Sequence, residues 1–265
     1  MSNSRFSSDT AVRGGCAVLT THGRLDRGAR YALRAQILGE LADSPRGLVC
    51  DLTDSTDLDP SCLAALVGLA GQAAEWPGIP LVPASSDSAL LEYMGEVVAG
   101  DRPSVQPTMV AAVDSACPRA PLPVASIDLS PDPSAPAIAR RFITSVCVDP
   151  DDAELAWVAC VVASDLVTNA LTYAATPMQL RVASHPGLLR MSVREAGDAA
   201  SHALDNQLDA DHGHGLLLVD RLTRCWGTIP THSHGNVVWC VIDALHPTAS
   251  APADSPVTTR AAAAR

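Results

Sequence analysis

The 265-residue sequence carries 29 acidic against 18 basic side chains, a formal charge of −11, and 47% of its residues are hydrophobic. The length favours two modest domains, and the composition is typical of a globular chain. The acidic balance, without any run of basic residues, argues against binding to nucleic acid or to an anionic membrane surface.

Every basic residue is arginine, because the sequence contains no lysine. This excludes a Walker A loop, the lysine-dependent eukaryotic protein kinases and pyridoxal phosphate chemistry. The eight cysteines are scattered without a C-x-x-C pair, which predicts reduced core residues in a cytoplasmic protein rather than a zinc or disulfide framework. The polar amino terminus does not resemble a signal peptide, and the longest apolar run, residues 155–163, is too short to cross a bilayer.

Strand-like and helix-like stretches alternate through residues 11–116, which we expect to form the first domain. Short apolar runs indicate buried strands, and apolar spacing such as Leu33, Ile37 and Leu41 indicates helices. Such alternation favours an α/β fold with helices on a largely parallel sheet. The predicted elements are strand 16–21, helix 27–42, strand 47–52, helix 61–74, strand 79–82 and helix 108–116.

A proline-rich linker is predicted at residues 117–124, followed by a second domain over 125–246 and a disordered tail over 247–265. In the second domain, the strands are spaced to pair through hairpins, with a turn at His185, Pro186 and Gly187. The predicted elements are strand 127–129, helices 135–147 and 153–174, strands 178–183 and 188–195, helix 216–223, and strands 226–229 and 236–242.

Two motifs in the second domain suggest chemistry. Asp165 and Asn169 lie four residues apart on a helix, so both project from one face, where an amide oxygen suits Mg²⁺ and a carboxylate suits proton transfer. Gly213 and Gly215 precede an apolar helix, whose amino end can hold a phosphate without lysine. Taken singly, the first motif is also compatible with an exposed polar stripe, and the second with an ordinary turn.

The order of these motifs resembles the GHKL (Bergerat-type) ATP-binding domain, in its anti-sigma-factor serine kinase branch, over residues 126–243. The resemblance implies an α/β sandwich that binds ATP and Mg²⁺, with Asn169 as the magnesium ligand and Asp165 as the catalytic acid or base. It also implies that Glu195 meets the adenine amino group and that residues 198–212 form a mobile lid. The nucleotide-binding residues implied in this way are Asn169, Glu195, Gly197, Gly213, His214, Gly215 and Leu216.

Three positions depart from the family's pattern. The family usually has glutamate where Asp165 stands, aspartate where Glu195 stands, and often histidine where Tyr173 stands. One methylene alters the reach of each carboxylate, and this bears on both binding and turnover. Whether the chain transfers phosphate therefore stays open at the level of the sequence.

In the first domain, residues 47–54 and 58–66 resemble a STAS domain, the fold of the anti-sigma-factor antagonists. The family's phosphorylated loop reads Asp-Ser-Ser-Gly before a helix; Asp59 and Ser61 match its first and third places, whereas Pro60 and Cys62 depart from it. The resemblance makes Ser61 the candidate phosphoacceptor. The alternative is that Ser61 only caps the helix.

Together, the two resemblances imply a partner-switching regulator of bacterial transcription that binds ATP and phosphorylates a serine of a STAS-domain protein. Its expected partners are a sigma factor, a STAS-domain antagonist or both, and a homodimer is also compatible with the resemblance. The alternative is a catalytically degenerate scaffold that docks the same partners without kinase activity. The histidine pairs at 212/214 and 232/234 are expected to lie in loops, and Trp157, Trp226 and Trp239 to pack in the core.

Overall fold

The computed structural model describes residues 5–88, 90, 92, 105–117, 123–196, 214–232 and 235–244. The chain divides into two compact units, Met1–Pro121 and Leu122–Arg265. Each unit has its own β-sheet with helices packed on it, so the expected α/β class is confirmed.

The described part of the first unit builds a four-stranded sheet in the order β1-β2-β3-β4. β1 is antiparallel to β2, whereas the β2–β3 and β3–β4 pairs are parallel, as the alternation of strands and helices predicted. The apolar run that opens β2 is buried because the central strands of such a sheet are covered by helices. In chain order the elements are β1 (Ser7–Arg13), β2 (Cys16–Arg24), α1 (Ala29–Ala42), β3 (Leu48–Thr56), α2 (Pro60–Glu75), β4 (Leu81–Ala84) and α3 (Met109–Ala116).

The edge strand β1 was not predicted. It begins at Ser7, four residues before the predicted start of the domain, and six of its seven residues are exposed. An exposed polar strand lacks the apolar alternation that identifies a strand in a sequence, since its contribution is the backbone ladder with β2.

The described part of the second unit builds a five-stranded sheet in the order β5-β6-β7-β9-β8, and every strand pair in it is antiparallel. The predicted hairpin between β6 and β7 is confirmed, with Gly187 at a φ of +70° in its turn. The elements are β5 (Val124–Leu129), α4 (Ala135–Val146), a 3₁₀ turn (Pro150–Asp152), α5 (Ala153–Tyr173), β6 (Met178–His185), β7 (Leu188–Glu195), α6 (His214–Leu222), β8 (Cys225–Pro230) and β9 (Asn236–Asp243).

Helix α5 is the central helix of the second unit. Its 21 residues are long and apolar enough to cross a membrane by length and composition alone. In the fold, its buried side chains, such as Leu166 and Val162, instead pack against α4 and the sheet. Trp157 does not join them: 65% of it is exposed, so the prediction that it packs in the core was wrong. Trp239 is buried as predicted, and Trp226 is partly buried against the same core.

Candidate functional site

Ser61 lies in the first turn of α2, just beyond the carboxyl end of β3. Asp59 has extended backbone angles and is the residue that caps the helix: its Oδ1 accepts from the backbone N–H of Ser61 at 2.8 Å and from the Ser61 hydroxyl at 2.5 Å. The two hydrogen bonds from Ser61, the hydroxyl first, lower the pKa of the Asp59 carboxyl. The helix cap is therefore Asp59, and the alternative in which Ser61 is itself the cap was wrong.

Ser61 is partly exposed, whereas its neighbour Cys62 is turned into the core. Cys62, which stands where the STAS pattern has glycine, is buried, and its thiol donates to the carbonyl of Asp26 at 3.2 Å. Its side chain points into the unit, because that hydrogen bond and the surrounding apolar core hold it there. Ser61 is thus accessible at a helix start whose orphan N–H groups favour negative charge.

In the second unit, Asp165 and Asn169 lie one turn apart on α5, as the sequence predicted. The Oδ2 atom of Asp165 is buried and has no hydrogen-bond partner among the described residues. Loss of hydration raises the pKa of this carboxyl, because burial disfavours its charged form. Asn169 is partly exposed, and its side chain has no hydrogen bond to the described residues that would compete with a ligand.

Glu195 is the last residue of β7, and neighbouring strands hold its backbone. It is opposite Met178 of β6 on one side and Asn236 of β9 on the other. The carbonyl oxygen of Glu195 lies 2.1 Å from where a Cβ on Gly235 would be, so only glycine fits at that position. Burial raises the pKa of the Glu195 carboxyl, as it does for Asp165.

The connection from α5 to β6 brings the carboxyl end of α5 to the end of β7 that carries Glu195. α5 ends at Tyr173, and after four residues the chain enters β6 at Met178, next to Glu195 in the sheet. The hydroxyl of Thr176, in this connection, accepts from the backbone N–H of Ala196 at 3.3 Å. The carboxyl-terminal turns of α5 and the end of β7 are therefore linked.

The glycine motifs are only partly described. His214, Gly215 and Leu216 form the start of α6, which packs on α5, and the helix begins two residues earlier than predicted. Gly197, Gly213 and the predicted lid at 198–212 lie outside the described residues, as does the tail at 247–265.

Sequence reasoning missed the residues that position Glu195. Gly235 and the buried Asn236 hold β9 against the end of β7, and Thr176 binds the residue after Glu195. A glycine directly before an apolar strand was the one available signal, but its partner depends on which strands pair.

The partly exposed amide of Asn169 would fit magnesium that is bound together with a nucleotide. One amide oxygen leaves most of the shell to water and phosphate oxygens, which is how Mg²⁺ is commonly held. Within the described ranges, no group of three or more histidine, cysteine, aspartate or glutamate side chains could hold a metal by itself. All eight cysteines are free thiols.

No protein-family model matches the sequence, and no curated protein matches it. Among solved structures, the chain is similar to an anti-sigma factor antagonist from Mycobacterium paratuberculosis, with 20% sequence identity and a TM-score of 0.38. The match covers 42% of this chain and 94% of that one. The similarity is therefore confined to less than half of this chain, and it assigns no function to either unit.

Proposed function

We propose that the chain is a cytoplasmic partner-switching regulator of bacterial transcription, built from a STAS-like first unit and a GHKL-like, ATP-binding second unit. Its partners are a sigma factor, a STAS-domain antagonist or both, and the second unit phosphorylates a serine of a STAS domain. Ser61 of this chain and the equivalent serine of a partner are the two acceptors that fit this chemistry.

One observation carries the proposal: the buried Oδ2 of Asp165, which has no hydrogen-bond partner among the described residues. Buried polar atoms are nearly always satisfied, so an orphan carboxylate oxygen one helical turn from Asn169 favours a ligand that brings its own hydrogen-bond donor. The raised pKa supports the role of a proton acceptor, because a base works best when its pKa approaches the working pH.

In the proposed reaction, the amide oxygen of Asn169 holds Mg²⁺, and Glu195 contacts the adenine amino group. Magnesium supplies neutralisation of the phosphate charge when it is bound. Phosphate oxygens bind to the backbone N–H groups of His214, Gly215 and Leu216 at the start of α6 and to that of the preceding Gly213 in the sequence, since lysine is absent.

Asp165 takes the proton of the serine hydroxyl while the serine oxygen attacks the γ-phosphorus. The new bond joins the serine oxygen to phosphorus, the bond to the bridging oxygen breaks, and ADP leaves. The departure of Asp165 from the family's glutamate makes this step the most demanding one, because a shorter side chain must still reach the hydroxyl.

Calorimetric titration of Mg·ATP into the whole protein, into Asn169→Ala and into Thr168→Ala tests the proposal. Thr168 is the neighbour of Asn169 on α5 but is exposed, so it is the matched control. We expect binding to the wild-type protein and to Thr168→Ala, and at least tenfold weaker binding to Asn169→Ala. When binding is found, mass spectrometry after incubation with ATP tests whether Ser61 is phosphorylated.

Absence of binding in all three proteins would overturn the ATP-dependent part of the proposal and favour the scaffold alternative. Equal binding in all three would place the nucleotide away from α5. In the scaffold case, a sigma factor or antagonist is captured equally well with and without Mg·ATP.

A further inference from the structure

A group of arginines surrounds the start of α1, in a chain that is acidic overall. Residues 24–34 contain four arginines and a single acid, Asp26, although the whole chain has a formal charge of −11. Arg30 and Arg34 lie one turn apart on α1, and Arg27 lies in the turn just before the helix.

Backbone and side-chain hydrogen bonds fasten this segment to the helix that carries Ser61. The backbone N–H of Asp59 donates to the carbonyl of Leu25 at 2.9 Å, and the thiol of Cys62 donates to the carbonyl of Asp26 at 3.2 Å. These contacts fall on both sides of Ser61, so the loop that leads into α1 lies directly beside it.

The charges of Arg27 and Arg30 act on the surroundings of Ser61. Both favour the ionised form of Asp59, although its hydrogen bonds to Ser61 contribute more to its lowered pKa. The charge of Arg30 also favours the thiolate of Cys62, against the burial that raises the pKa of that thiol. The positive charge of Arg30 therefore favours negative charge at residues on both sides of Ser61 in the sequence.

Neither guanidinium forms an ion pair with a carboxylate among the residues that the structure describes. Arg30 lies over the ring of Tyr31, with its central carbon 4.7 Å from the ring centre, and donates to the Tyr31 hydroxyl at 2.9 Å. Arg27 is exposed and makes no ion pair with a described residue, whereas Arg24 is paired with Asp57 at 3.0 Å. Arg27 and Arg30 thus retain donors that a new anion can use.

We propose that Arg27 and Arg30 form a phosphate-receiving cluster that holds the phosphate of phosphorylated Ser61 within the same chain, in exchange for the present contact with Asp59. This rests on the proposed function, in which Ser61 is a phosphoacceptor. In the unphosphorylated chain, the Ser61 hydroxyl donates a hydrogen bond to Asp59. Phosphorylation replaces that hydroxyl proton and places nearly two negative charges beside the Asp59 carboxylate. The phosphate is repelled by Asp59 and attracted by the two guanidinium groups, which form strong charge-assisted hydrogen bonds with phosphate oxygens.

The exchange changes what a partner meets at this surface. Without phosphate, Arg27 and Arg30 present positive charge around a neutral serine. With phosphate, the same charges are neutralised from inside the chain, so a partner with an acidic contact surface loses its attraction without any movement of the backbone.

The test uses the full chain with phosphoserine placed at position 61 during translation, so that it depends on no kinase. Phosphorus NMR follows the second pKa of the phosphate, which is about 6 for a free phosphoserine. Opposite charges in contact lower such a pKa by about one unit or more. We expect a shift of that size in the wild-type background, roughly half of it in Arg27→Gln or Arg30→Gln, and its loss in the double variant.

Two further variants keep the result interpretable. Arg13→Gln is the matched control, since Arg13 is exposed and pairs with Cys16 at the first residue of β2, whereas Arg27 and Arg30 follow the last residue of that strand. It should leave the phosphate pKa unchanged. Arg30→Lys keeps the charge and should keep most of the shift, even if loss of the Tyr31 contact alters local packing.

A phosphate pKa at or above 6 in the wild-type background, or one that none of the arginine substitutions changes, would overturn the cluster. This outcome is separable from failure of the proposed function, because the phosphate is installed without ATP. A lowered phosphate pKa together with an absence of Mg·ATP binding would support the arginine cluster and contradict the proposed kinase activity.

Discussion

Replacing Asp165 by asparagine should stabilise the second unit while removing the proposed proton acceptor. The substitution keeps the shape of the side chain and deletes the charge from a buried oxygen that has no hydrogen-bond partner among the described residues. A buried polar atom left unsatisfied costs about 1–3 kcal/mol, and a charged one costs more, but part of the Asp165 side chain still reaches water, which reduces the cost. We therefore expect a gain of about 1 kcal/mol in the free energy of unfolding at pH 7.

The gain should depend on pH in one direction. Burial raises the folded-state pKa of Asp165 above its ordinary value of 3.8, so the protonated form is the one that suits the fold. The contribution of Asp165 to the free energy of unfolding of the wild-type protein is fully present below pH 3.8, and it is lost as the pH rises through the folded-state pKa. The difference between Asp165→Asn and the wild type should therefore be near zero at pH 3 and reach its full value by neutral pH.

Urea unfolding followed by tryptophan fluorescence measures this difference. Three of the four tryptophans, Trp157, Trp226 and Trp239, belong to the second unit, so its transition dominates the signal. A gain of 1 kcal/mol moves the urea midpoint by roughly 0.5 M. Asp151→Asn, at an exposed aspartate of the same unit, is the control and should bring no gain. A gain that is equal at pH 3 and pH 8, or a loss at pH 7, would refute the reasoning.

Two further predictions concern the positions that hold the candidate sites in place. Gly235→Ala would put a Cβ 2.1 Å from the carbonyl oxygen of Glu195, so we expect it to lower the free energy of unfolding by about 2 kcal/mol or more in a urea titration. Gly68→Ala is its matched control: no atom lies within 4 Å of the added Cβ, and alanine in an exposed helix should raise stability by about 0.5–1 kcal/mol. Asp59→Ala should lower the melting temperature above pH 3.8, because the depressed pKa of Asp59 means that its carboxylate stabilises the fold there, and the deficit should shrink as the pH falls. A deficit that does not change with pH would show that the carboxylate charge is not what stabilises the start of α2.

The interior elements could be predicted because each carries its own apolar pattern. The two long helices of the second unit and the β6–β7 hairpin have nearly the predicted bounds, since 3.6-residue and two-residue periodicities report directly on burial. Trp157 was misassigned because membership of an apolar stretch does not define a helix face. It stands two residues from both Leu155 and Ala159, about 200° around the helix from each, and so it points away from the core that they enter.

The spacing of Asp165 and Asn169 predicted their common helix face, but not the state of the carboxylate. The missing hydrogen-bond partner of Asp165 depends on what packs around α5, which local sequence does not encode. Similarly, the contact between Gly235 and Glu195 exists only because β9 is next to β7, an order that skips β8. Pairings over such sequence distances cannot be read from patterns within single elements.

The exposed edge strand β1 has a consequence for how the chain can be shortened. Its seven residues pair one by one with β2, whose first four residues are apolar and buried. A chain begun at residue 11, where the apolar pattern starts, would lose four of those pairs and leave backbone N–H and C=O groups of β2 open along part of its length. Open strand edges pair with strands of other molecules, so such a fragment should aggregate during expression. A fragment that begins at residue 5 keeps the whole of β1 over the edge of β2 and should not.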